Sequence, residues 1–251
     1  MCCLQGISLN AMQKNNLPGK VLVLVPARYQ SKRLPGKLLK KIGKLSVLGH
    51  VYHSLLKCSM IDTLSFVVDH ELLANEMEEL GAPYIVNNKP YSCGTDRCLG
   101  SLKNFEVFDY LVNVQADQPE LDPLMVDHFI AEMIRQTDSQ IWSVRTTSPC
   151  RSTNTNTVKV DEDENGFAID FYRSLPSEVV TYRHMGVYGF HRGVVDSLVK
   201  LQPSQRELSL GLEQLRWMDA GYNIKMIPFN TSSESIDTQE DMESLQAKHE
   251  H

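Results

Sequence analysis

Apolar positions along the chain fall into short runs separated by polar punctuation. Residues 20–25, Lys-Val-Leu-Val-Leu-Val, form a nearly continuous apolar run, the pattern of a strand buried on both faces. Residues 47–58 carry apolar side chains at helical spacing, and 63–69 read as a second strand. A helix is predicted over 71–81, closed by Gly81, and a short strand over 83–86. Residues 109–117 read as a buried strand ending on Asp117. A helix with Pro123 near its start spans 123–136, and a further strand spans 140–147. This alternation predicts an α/β fold with a mostly parallel central sheet flanked by helices. Such sheets bind ligands at the carboxyl ends of their strands, where Arg28, Asp69 and Asp117 fall.

The pattern changes after about residue 150. Residues 156–174 read as a hairpin turning at Glu164, Asn165 and Gly166. A strand follows over 182–192, then helices over 192–201 and 207–221. Residues 223–229 return to the main sheet, and 238–249 form a closing helix. The expected organisation is an N-terminal extension over 1–18 and a single domain over 19–251, with a smaller β-rich excursion at about 150–200.

Composition narrows the classes. The 251 residues carry a net charge of −6, so no global basic field draws the chain to nucleic acid or membrane. Any anionic ligand must be held by local charge. No apolar stretch approaches the ~20 residues of a membrane span. The first residues lack the basic and apolar regions of a signal peptide. The six cysteines form no CxxC pair, so no zinc site is expected, and reduced thiols in the cytoplasm are.

Local charge is found after the first strand. Arg28, Lys32, Arg33 and Lys37 fall within ten residues that contain no acid. With Gly36 for close backbone approach, this loop suits a polyphosphate. A solvated basic loop fits the composition equally well. The loop contains neither GxxxxGK[ST] nor GxGxxG.

The whole string PARYQSKRLPGK (26–37) resembles the N-terminal signature of the 3-deoxy-manno-octulosonate cytidylyltransferases, the CMP-Kdo synthetases. The likeness continues through VVDH (67–70), CGTDR (93–97), VNVQADQP (112–119) and NTVKV (156–160). It runs on through GFAIDFYRS (166–174), RHMGVYGF (183–190), LEQLRWMDAGYNI (212–224) and SIDTQEDMESL (235–245). These motifs are collinear over nearly the whole chain.

The resemblance implies a Rossmann-like nucleotidyltransferase that moves CMP from CTP to the anomeric hydroxyl of 3-deoxy-manno-octulosonate (Kdo). A modified Kdo such as the 8-amino sugar is the variant acceptor. Pyrophosphate is released, and the product serves lipopolysaccharide synthesis. It further implies Mg²⁺ as cofactor, a homodimer, and no nucleic-acid or membrane partner. By the same resemblance Lys37, Arg28 and Asp117 are catalytic. Ala27, Arg28, Lys37, Asp69, Cys93, Gly94 and Thr95 bind the nucleotide, with CGTDR as a base-reading turn. Arg97, Gln115, Arg173, His184, Tyr188, Glu213 and Gln214 hold the sugar, and Asp117 and Asp237 hold the metal.

The residues alone leave other roles open. Asp117 also reads as a turn residue before Pro119, and Asp237 as a helix N-cap. Tyr188 also suits packing, His184 a structural role, and Glu213 with Gln214 a solvent-facing pair. Four positions depart from the family pattern: Cys93 for Ser, Ala116 for Gly, Gln118 for Glu and Tyr172 for Ser. They put the acceptor's identity in doubt more than CMP transfer. A cytidylyltransferase for another acidic or surface-polysaccharide sugar, or a non-catalytic nucleotide-binding homologue, are the alternatives.

Overall fold

The computed structural model describes residues 17–31, 33–175, 179–231, 233 and 235–249. Lys32 and most of the predicted extension lie outside them. The first strand, β1 (Val21–Ala27), shows why its sequence is continuously apolar. Val21, Val23 and Val25 enter one hydrophobic cluster, while Leu22 and Leu24 enter another on the opposite face.

The short strands β2 (Lys41–Ile42) and β3 (Leu45–Ser46) pair apart from the main sheet. In that sheet, β1 pairs in parallel with β4 (Thr63–Val68) and β6 (Tyr110–Val114), and β4 with β5 (Tyr84–Val86). Beyond β6 come β7 (Ile141–Pro149), the hairpin β8 (Lys159–Glu162) and β9 (Ala168–Tyr172), β10 (Tyr182–His191) and β11 (Ile224–Phe229). The order is β11-β7-β10-β6-β1-β4-β5, with the hairpin joined to β10 through β8. The strand at 182–191, expected in the excursion, is thus an antiparallel strand of the main sheet between β6 and β7.

Helices α1 (Val47–Leu55), α2 (Glu71–Glu79), α4 (Pro123–Arg135) and α8 (Gln239–His249) cover one face. Helices α3 (Gly94–Leu99), α5 (Arg192–Leu198) and α7 (Gln214–Asp219) cover the other. Two local readings change. CGTDR is not a turn but the start of α3, capped by the Cys93 sulfur. The helix predicted over 207–221 is two, α6 (Gln205–Leu210) and α7, because Gly211 turns left-handed at φ 63°. Among the described residues no helix is long and apolar enough to cross a membrane.

Candidate active site

β1 ends at Ala27 and releases the cationic loop at the carboxyl edge of the sheet. Buried Leu34 pins the loop, and Gly36, at φ 64°, turns it into a 3₁₀ turn beginning at Lys37. Lys37 Nζ donates to Asp117 Oδ2 at 2.6 Å, Ile236 O at 2.7 Å and Asp237 Oδ1 at 3.3 Å. Arg33 Nη2 reaches the same Asp237 oxygen at 2.8 Å, and Arg33 Nη1 donates to Asn156 Oδ1 at 2.6 Å. Asp237 is available because its neighbour takes the cap. Thr238 Oγ1 accepts from Asp241 N at 3.2 Å, and Asp241 Oδ2 accepts from Thr238 N at 2.8 Å. The two carboxylates, distant in sequence, therefore meet at one ammonium.

Two confluent cavities of ≈740 and ≈1090 Å³ open around this point. They share Arg28, Arg33, Gly94, Gln115, Asp117, Gly211 and Asp237 as a common wall. The larger bay is closed by the loop, Asp69, Tyr91 and Arg97. Burial and the nearby Arg28 charge lower the Arg97 pKa against the pull of Asp69. Cations that face one another in a cavity favour an anion there. The smaller bay is lined by Arg173, His184, Tyr188, Glu213 and Gln214.

Several predicted residues sit differently from expectation. Ala27 is fully buried in the core and offers no side chain to a ligand. Thr95 turns inward, its Oγ1 accepting from Asn113 Nδ2 at 2.6 Å, and lines neither bay. Arg97, two positions along α3, lines the larger bay with Gln115 and does not line the smaller bay, where Arg173, His184, Tyr188, Glu213 and Gln214 lie. It pairs with Asp69 at 3.1 Å and donates to Asn87 O. Asp69 also accepts from Tyr29 N at 2.9 Å, so it braces the loop. Cys93 lines the smaller bay, with its thiol bonded to Glu213. Burial first, then the Glu213 and Asp96 charges, push the pKa of that thiol up, which disfavours the thiolate. Tyr172 bonds Asp161 and lines neither bay, so it does not reshape the pocket.

The sequence profile of the cytidylyltransferase family matches residues 22–227. The 3-deoxy-manno-octulosonate cytidylyltransferase of Leptospira interrogans is 32% identical over 89% of this chain and 94% of its own length. That of Flavobacterium johnsoniae is 32% identical over 91% of this chain and 98% of its own. The chain belongs to the 3-deoxy-manno-octulosonate cytidylyltransferase family. A solved CMP:2-keto-3-deoxy-manno-octonic acid synthetase complexed with CTP superposes with a TM-score of 0.84, at 27% identity over 91% of this chain and 98% of the other. The inositol-1-phosphate CTP transferase of T. maritima, 16% identical with a TM-score of 0.66, shares the fold.

In this cytidylyltransferase the bays depend on residues that sequence reasoning passed over. Arg183, Asn154 and Asn156 line the smaller bay. Their only signal was membership of the NTVKV and RHMGVYGF neighbourhoods. Arg216, buried on α7, bonds both Asp96 on α3 and Glu207 on α6. Glycines set the spacing at the wall. A Cβ on Gly94 would lie 2.9 Å from Pro26 Cγ, an inflexible ring. Gly94→Ala is therefore expected to cost about 1–3 kcal/mol of stability, read by urea unfolding, and to raise the KM for CTP. An unchanged midpoint and KM would show that the wall yields.

Proposed function

We propose that this chain transfers CMP from CTP to the anomeric hydroxyl of 3-deoxy-manno-octulosonate. The observation that carries the proposal is the convergence of Lys37, Asp117 and Asp237 where the two bays join. The larger bay takes CTP, with Arg28 and Lys37 on its phosphates. The smaller takes the sugar, with Arg173, anchored on Leu210 O, Thr155 O and Gly211 O, lending positive charge for its carboxylate. The anomeric oxygen bonds to the α-phosphorus, the α-phosphorus bond to the bridging oxygen breaks, pyrophosphate leaves, and the hydroxyl proton passes to solvent. The common wall holds the reacting groups close, which lowers the entropic part of the barrier.

Mg²⁺ fits the donor set. Asp117 and Asp237 supply hard carboxylate oxygens at one point, and Mg²⁺ typically takes one or two carboxylates with substrate phosphates. When bound, it would neutralise phosphate charge. We also propose a homodimer that covers the exposed Ile169, Val179 and Val180.

The test is pyrophosphate release from CTP and Mg²⁺ with Kdo, 8-amino-Kdo and N-acetylneuraminate as separate acceptors. Release with Kdo is the expected result. Release with the 8-amino sugar alone would move the acceptor assignment to that sugar. CTP binding without release from any of the three would overturn the proposal.

A further inference from the structure

His184 lies on β10 where the pairing with β7 slips. Met185 pairs with Val144, but Tyr188 pairs with Ser143, so Gly186 and Val187 form a bulge. Bulges re-aim groups beside active sites. Here the bulge gathers several polar atoms around one hydroxyl. Fully buried Ser143 Oγ lies 2.7 Å from His184 Nε2, 2.8 Å from Val187 O and 3.4 Å from Met185 O.

Ser143 has one proton to give, and a backbone carbonyl can only accept. If that proton pointed at His184, two oxygens would face each other at the 2.8 Å separation from Val187 O with no proton between them. The hydroxyl therefore donates to Val187 O. The short contact to His184 is then satisfied only if Nε2 carries the ring proton. Nδ1 is left as a lone-pair acceptor, with no hydrogen-bond partner among the described residues. Burial pushes the His184 pKa down to about 3, so the ring stays neutral. Phe171 packs edge-on against it, with ring centroids 4.9 Å apart, and fixes its plane.

We infer that Ser143 is a positioning residue that holds His184 in its Nε2–H tautomer, so that Nδ1 is a fixed acceptor for a hydroxyl of the sugar. The inference rests on the acceptor reading of the smaller bay. A second fixed group matches it. Tyr188 donates to Gln214 Oε1 at 3.0 Å, which leaves Gln214 Nε2 buried without a partner among the described residues. His184 and Gln214 both line the smaller bay, and an acceptor nitrogen on one with a donor nitrogen on the other complements a polyhydroxylated ligand. Each hydroxyl both donates and accepts.

The test uses the full chain labelled with ring-¹⁵N histidine and long-range ¹H–¹⁵N correlation, with His184 assigned from the His184→Asn spectrum. Wild type is expected to show the Nε2–H pattern. Ser143→Ala should lose it, with the KM for Kdo rising roughly tenfold and the KM for CTP unchanged. Ser143→Thr, which keeps the hydroxyl, should retain the tautomer. An Nδ1–H pattern in wild type would overturn the inference, and that spectrum decides even where Ser143→Ala does not fold. Retention of Nε2–H in Ser143→Ala with an unchanged KM would overturn it as well. No pyrophosphate release from wild type, together with loss of the tautomer in Ser143→Ala, would uphold the tautomer and overturn the acceptor reading.

Discussion

Asp117→Asn is expected to lower kcat by about a thousandfold, the upper range for loss of one preorganised electrostatic group. The substitution keeps the shape and one oxygen acceptor but removes the charge. Lys37 Nζ keeps its bonds to Ile236 O and Asp237, and the amide oxygen remains within reach, so the loop stays anchored. The Lys37 and Asp117 side chains are only 12% and 23% exposed, but the amide exchanges a charge-assisted hydrogen bond for a neutral one, a loss of about 1 kcal/mol. The melting temperature should therefore hardly move. A pyrophosphate assay at saturating CTP and acceptor, beside a thermal melt, separates the two effects. Turnover within tenfold of wild type would remove Asp117 from the chemistry. A collapse in stability of similar size to the loss of rate would make it structural.

That prediction rests on a pairing only half legible in the sequence. The loop was visible because four cations without an acid stand out in an acidic chain. β1 was visible because both its faces are buried, which leaves no polar alternation to confuse the reading. Asp237 was ambiguous, since Asp237 and Thr238 can each cap a helix. Only the fold shows Thr238 in the cap and Asp237 turned to Lys37. Thr95 and Arg97 mark a different limit. A motif places residues near one another without giving their direction. On α3 the first turns into the core and the second toward the larger bay. Each residue of a helix rotates about 100°, so neighbours in one string face different surroundings.

Arg216→Met is expected to destabilise the fold by about 3–5 kcal/mol, the cost of removing one partner from a buried ionic cluster. Arg216 is 4% exposed and Glu207 6% exposed, so neither charge has water to fall back on. The guanidinium bonds Glu207 through Nε at 2.7 Å and Nη2 at 2.6 Å, and Asp96 through Nη1 at 2.8 Å and Nη2 at 3.0 Å. It thereby ties α3, beside the larger bay, to α6, beside the smaller. Methionine fills the volume but leaves two carboxylates facing each other. The sign of the pH dependence identifies the cause. Burial pushes the Asp96 carboxyl up, but the Arg216 and Ser92 hydrogen bonds prevail and hold it below its ordinary value. In wild type this group supplies stability above its unfolded pKa of 3.8, lost as pH falls through the lower folded value. In Arg216→Met burial is opposed only by Ser92 and Cys93, and the folded pKa rises above the unfolded one. The folded variant then binds the proton more tightly than the unfolded chain, so acidification favours folding. Urea unfolding at pH 7.5 and pH 5.5 should show the gap between wild type and variant narrowing at the lower pH. A gap that is equal at both pH values, or smaller than about 1 kcal/mol at neutral pH, would mean that the cluster is solvated and does not hold the two bays together.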